Sequence, residues 1–223
     1  MPKSNVLNFT QNLNNTYVNF YSSDVLRVIM VSPNSNGTGL TDGTRTFTAA
    51  GGTLATGAAA TWTSTVTGGR VIGAPVITNQ GQYTVTPGVT GNAATVDSGT
   101  TNATWNLKTE FYKELYTASV NDAVVKAINV ASTDTAARVL TVWLIGADNQ
   151  PEQLCALNVP LRSGDNGTAN AIDLLNGTLL QALPYDANGK RIIPLKAGQK
   201  LAVSVPAVTA GTQINVSAMI EEY

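Results

Sequence analysis

The chain reads as an all-β protein, a two-layer sandwich interrupted by a small inserted module of β-hairpins. Three observations predict this class. Near the end of the chain Ile214, Val216, Ala218 and Ile220 alternate with Gln213, Asn215 and Ser217, the period of a strand with one buried face. Turn-forming clusters recur between apolar runs, at Asp148-Asn149-Gln150-Pro151, Gly164 to Gly167, Asp186 to Gly189 and Ala210-Gly211. Residues 44 to 107 are dominated by Thr, Gly and Ala, with Arg45, Arg70 and Asp97 as their only charges short of Lys108. Thr and Trp favour pleated strands and Gly permits tight turns, so this stretch reads as short hairpins.

Residues 1 to 22 are Asn-rich, carry Lys3 as their one charge and space their apolar residues irregularly. They suit an N-terminal arm, with a frayed first strand as the alternative. Phe9, Tyr17, Phe20 and Tyr21 are its candidate partner contacts, because aromatic area without charge gains order by docking. A strand is expected over Val25 to Val31, then a long loop from Ser32 to Gly43 marked by Pro33, Asn34, Gly37 and Gly39. Within the module, a Gly-Thr turn leading to Ala-Thr-Trp occurs twice, ending at Trp62 and at Trp105, as a weak internal repeat. The sandwich body is expected from 22–43 and 108–223, with strands at Val124 to Val130, Arg138 to Ile145, Gln153 to Val159, Lys200 to Val205 and Gln213 to Ile220. The run Val139 to Ile145 is almost continuously apolar, which predicts a central strand covered on both faces. Over Ala171 to Leu183 the leucines recur at four-residue steps but Gly177 interrupts them, leaving a helical turn and a strand both open.

A chain of 223 residues with 43% hydrophobic residues can fill a sizeable core. Charged residues are only 12%, about half the usual share, so the surface is mostly neutral polar and is cheaply buried against neighbours. With 13 basic against 14 acidic side chains there is no cationic excess to displace counterions from a phosphate backbone. Nucleic acid is therefore not an expected partner. No apolar run approaches the roughly 20 residues of a membrane helix, and the start lacks a secretion signal, so a membrane is not expected either and the cytoplasm is the expected site of synthesis. Cys155 is the only cysteine, which rules out an internal disulfide and a thiolate cluster.

Histidine is absent, which removes Ser-His-Asp and Cys-His arrangements and the usual zinc sites. Asp122, Asp134, Asp148, Asp165, Asp173 and Asp186 are scattered and mostly lie beside Asn or Gly, as turn residues do. Asp186-Ala187-Asn188-Gly189 lacks the later ligands of a calcium loop, and Gly37-Thr38-Gly39 lacks the lysine of a phosphate loop. Trp62, Trp105 and Tyr83 would suit a sugar platform, but a module with so few large side chains needs them as its core. No catalytic, cofactor-binding or metal-binding residue is expected, and the chain is not read as an enzyme.

Gly51-Gly52-Thr53, Ala60-Thr61-Trp62, Gly68-Gly69-Arg70-Val71 and Gly81-Gln82-Tyr83-Thr84 with Pro87 resemble a Gly/Thr-rich β-repeat of phage structural proteins. The later part, through Val159-Pro160-Leu161, Leu174-Leu175-Asn176, Leu183-Pro184-Tyr185-Asp186 and Ile193-Pro194-Leu195-Lys196-Ala197-Gly198, is similar to bacteriophage jelly-roll virion proteins, capsid cement (decoration) proteins among them. That resemblance implies a jelly-roll-like β-sandwich body, a homo-oligomer, and binding to the major capsid protein or other virion proteins, with assembly in the host bacterial cytoplasm. The module at 44–107 makes the chain longer than a minimal cement protein. A tail, fibre or head-spike component with a host-glycan-binding β-module is the alternative.

Overall fold

A computed structural model describes residues 12–97, 103–165, 169–176 and 183–223. The strands, in chain order, begin with β1 (Asn12–Tyr21) and β2 (Leu26–Ser35). The module follows with β3 (Gly43–Thr48), β4 (Thr53–Leu54), β5 (Thr61–Thr67), β6 (Arg70–Val71), β7 (Val76–Asn79), β8 (Tyr83–Val85) and β9 (Thr95–Val96). Then come β10 (Thr104–Thr117), β11 (Ala123–Ser132), β12 (Arg138–Ile145) and β13 (Pro151–Val159). The last are β14 (Ile172–Asp173), β15 (Ile193–Leu195), β16 (Lys200–Val205) and β17 (Gln213–Glu222). The described residues contain no helix, so the protein is all-β, as its periodicity predicts.

Two antiparallel sheets make the sandwich. In the first the order is β1-β17-β11, with β14 and β15 both on the far edge of β11; in the second it is β13-β12-β16-β10-β2-β8-β4. Between them lies the main core: Leu140 and Val142 of β12 and Leu201, Val203 and Val205 of β16 meet Val125, Ile128 and Val130 of β11 and Ile214, Val216 and Ile220 of β17. The predicted alternation in β17 thus becomes its buried face. The expectation for β12 is also met on both sides, since Trp143 and Ile145 project the other way into a smaller cluster with Ile29, Tyr112 and Ala202.

A third sheet, β6-β5-β3-β9 with β7 also on β5, belongs to the module. It packs around Phe47, Trp62 and Trp105, whose ring centroids lie 4.8 to 6.3 Å apart. The two tryptophans of the internal repeat therefore meet in one core. Tyr83 is buried with them and its hydroxyl accepts a hydrogen bond from the Ala60 amide at 2.7 Å. Gly81, at φ +64°, makes this approach possible, because a Cβ there would sit 2.8 Å from the Ala60 nitrogen and 2.5 Å from the Tyr83 ring.

Several boundaries differ from those expected. The Ser32 to Gly43 loop begins four residues later, because β2 runs on to Ser35 along the start of β10. The module does not end at Leu107: Trp105 and Leu107 lie in β10 and share the module core with Val28 and Val31 of β2. Residues 12 to 21 of the expected arm form a ladder with β17 that runs from Asn12 opposite Glu222 to Tyr21 opposite Gln213. Alternation on that strand turns Phe20 inward, where it is fully buried in the main core, so Phe20 is a body residue and not a partner contact. Where a helical turn or a strand was open, the described part is the two-residue β14 followed by a turn through Asn176. Leu174 and Leu175 drop into the main core from it.

One polar knot ties the β11–β12 connection to the loop before β17. Asp134 is fully buried; it accepts hydrogen bonds from Arg138 Nε (2.9 Å), Thr209 Oγ1 (2.6 Å), and the amides of Ala136 (2.9 Å) and Thr209 (3.0 Å). Burial alone pushes this carboxyl up, but the Thr209, Arg138 and backbone donors outweigh it and hold it at about 2, below its ordinary 3.8. A carboxylate lowered in the folded state stabilises fully above its unfolded value and ceases to do so as pH falls toward its folded value. We therefore expect about 2 kcal/mol of stability to disappear between about pH 4 and pH 2. Asp134→Asn should flatten that slope in urea melts across this range, and an unchanged slope would remove Asp134 as its origin.

Candidate assembly surface

The outward face of the first sheet is built by strand alternation. Because Phe20 and Val18 of β1 turn toward the core, Leu13, Asn15, Tyr17, Asn19 and Tyr21 turn away from it. The ladder aligns them in rows across three strands. Asn15 lies opposite Met219, which faces Ala127; Tyr17 lies opposite Ser217, which faces Asn129; Asn19 lies opposite Asn215, which faces Ala131. Asn215 donates a side-chain amide hydrogen bond to Asn19 Oδ1 and locks the third row. None of these nine side chains is charged, and Tyr17 stands clear of them at 72% exposure.

Charge lies at the β14 margin, where Asp173 pairs with Asn129 and closes the middle row, and at one end of the face. Lys126 Nζ lies 3.0 Å from Glu221 and 3.8 Å from Asp186, and the Glu221 carboxylate beside it holds the ammonium pKa above its ordinary value. At the other end Tyr21 pairs with Gln213, and its amide donates to Asp24 Oδ2 at 2.9 Å. The centre is thus a neutral panel of small polar groups with Tyr17 and Met219 as its apolar relief. Burying such a panel strips water from amides and hydroxyls that a neighbour can satisfy, without desolvating an ion.

Of the expected partner contacts, Tyr17 and Tyr21 fall on this face, Phe20 faces the core, and Phe9 lies outside the described residues. The sequence did not single out Leu13, Asn129, Ser217 or Met219. Asn at 14, 15 and 19 puts amides on both faces of β1 and blurs its alternation, whereas β17 already showed Ser217 on its polar side.

Trp62, Trp105 and Tyr83 are fully buried and present no sugar platform. A cleft of about 370 Å³ lies between residues 76–80 of the module and the outward face of the second sheet, lined there by Ile29, Tyr112 and Trp143. The Glu114–Lys200 ion pair, 3.0 Å long, stands at its edge. Asp148, Asp173 and Asp186 each accept a backbone amide two residues on, as turn-forming aspartates do. Burial pushes the Cys155 thiol up to about 11, which keeps it protonated and unreactive. Among the described residues no group of three His, Cys, Asp or Glu is placed to hold a metal ion, and no helix is long and apolar enough to cross a membrane. No family model matches the chain, and no curated protein matches it in sequence.

Proposed function

We propose that this chain is a bacteriophage virion structural protein, a capsid decoration (cement) protein with a jelly-roll body that binds the shell and its own copies. The observation that carries the proposal is the panel on the outward face of β1, β17 and β11, whose three rows centred on Tyr17, Ser217 and Asn129 carry no charge. Strand order supports the jelly-roll description: β1-β17-β11 with β14 and β15 on one side, and β10-β16-β12-β13 on the other, is the arrangement that two interleaved Greek keys generate. Shell binding is then a matter of many modest contacts repeated over a lattice, each too weak alone to hold a subunit. The body supplies a rigid panel, and the module stands beside it on the shared strands β2 and β10.

Charges placed in the middle of the panel test this. Asn129→Lys together with Ser217→Lys should leave the protein folded, with a small drop in melting midpoint from two like charges set opposite one another, since both side chains point away from the core. Binding to protein-stripped particles should weaken by about tenfold or more, because a buried unpaired ammonium costs more than 1.4 kcal/mol. Undiminished binding by a folded double variant would remove this face from the contact. A second reading, a tail, fibre or head-spike component with a glycan-binding module, draws on the cleft beside residues 76–80. Labelled protein found on the tail rather than the head would favour it.

A further inference from the structure

The edges of the sheets are not alike. At one end of the second sheet β13 carries Pro151 and Glu152 and has a register shift against β12; at the other end β4 is two residues long. The far edge of the first sheet is made of the two-residue β14, with Asp173, and the three-residue β15, with Pro194. Each of these carries a feature that discourages another strand from adding: proline, charge, a bulge or brevity. β1 has none of them. It is ten residues long, uncharged, free of proline, unbroken in register against β17, and among the described strands it pairs on one edge only. Its exposed large side chains are Leu13 at 58%, Tyr17 at 72% and Tyr21 at 41%.

We infer that the open edge of β1 pairs antiparallel with β1 of a second copy of this chain, about a two-fold axis at Asn15. An open edge offers unpaired amides and carbonyls, which only another extended strand satisfies in series. The pattern of β1 is self-complementary about Asn15. Leu13 of each copy falls opposite Tyr17 of the other, so the two most exposed apolar side chains of β1 cover one another, and Asn15 meets Asn15 amide to amide. With no charge on the strand, no like-charge pair arises across the axis, as an isologous contact requires. The two first sheets become one continuous sheet. Their outward panels then lie side by side on one surface, which doubles the area assigned above to shell contact. The pairing itself does not depend on that assignment.

Full-length protein in sedimentation equilibrium at about 100 µM, a concentration suited to a contact below the standard interface size, should approach twice the chain mass. Leu13→Lys with Tyr17→Lys should give a monomer, and so should Leu13→Glu with Tyr17→Glu, because each sets like charges opposite one another. An equimolar mixture of the two should recover the dimer, since Lys of one then faces Glu of the other. Asn15→Cys should cross-link to itself on mild oxidation, because directly opposed residues stand about 5 Å apart at Cα, within disulfide reach. Val139→Cys, a half-exposed position on the other sheet, should not. A monomeric wild type, a mixture that stays monomeric, or equal cross-linking at 15 and 139 would each overturn the proposal. No particle enters these measurements, so their failure leaves the shell-binding reading standing, and the converse holds for loss of particle binding by a dimer.

Discussion

Trp143→Ala should destabilise the protein by about 3 to 5 kcal/mol, the range for deleting a buried tryptophan. Its indole is fully buried on the face of β12 that points away from the main core, in a small cluster with Ile29, Tyr112, Ile145 and Ala202. That cluster has few neighbours able to collapse into the cavity, which places the loss toward the upper end. Polar consequences add to it. The indole N–H donates to Ser204 Oγ at 2.7 Å, Ser204 donates in turn to Glu110, and Lys108 reaches both Glu110, at 3.1 Å, and the indole face, 5.0 Å from its centroid. Removing the ring takes away one member of a buried chain of hydrogen bonds and the surface on which Lys108 rests. Trp143→Phe keeps most of the apolar volume and loses the donor. It should cost less than the alanine variant, and the difference separates packing from hydrogen bonding. Urea melts of the three proteins measure this, and an unchanged midpoint for Trp143→Ala would mean that the second sheet is not covered on that face.

Replacing residues 44–107 with a short Gly/Ser linker should also lower stability sharply, by about 3 to 6 kcal/mol for uncovering two buried valines, each worth about 1.5 to 3 kcal/mol. Those valines are Val28 and Val31, which belong to β2 and keep their place in the chain while Phe47, Trp62, Tyr83, Trp105 and Leu107 are removed. The replacement also deletes Thr104 to Leu107, the stretch of β10 that pairs with Val31 to Ser35. A shortened chain should therefore melt well below the whole protein and expose apolar surface to a dye such as ANS. If it melts at the same midpoint, the module has a core of its own and the sharing of Val28 and Val31 contributes nothing.

The sequence made the sandwich legible where one face is apolar and the other polar. β17 follows the alternation of Ile214 to Ile220, β12 follows its apolar run, and β16 coincides with Lys200 to Val205. The module's hairpin character and its tryptophan core were legible in the same way, through glycines at turns and a scarcity of large side chains. β10 was not. Its fourteen residues carry register shifts at Thr104/Trp105, Lys108/Thr109 and Glu114/Tyr116, which break the two-residue period, and it serves two cores in succession. A boundary drawn by composition at Leu107 consequently cut through a continuous strand. For the surface, aromatic content drew notice to Tyr17 and Tyr21, yet it also selected Phe20, because composition ignores which way a strand turns a side chain. The rows that join Tyr17 to Ser217 and Asn129 bring together residues 88 to 200 positions apart in sequence, and only strand pairing reveals them.

The most direct measurement is a reconstruction of the virus particle that the proposed function implies, with and without this protein, at a resolution that separates the two sheets of the sandwich. The proposed function predicts density on the outer surface of the head that disappears without the protein, with Tyr17, Ser217 and Asn129 turned toward a neighbouring virion subunit and Lys126 and Asp186 at the margin of the contact. Density confined to the tail or its fibres, or a head-bound subunit that turns this face to solvent, would contradict it.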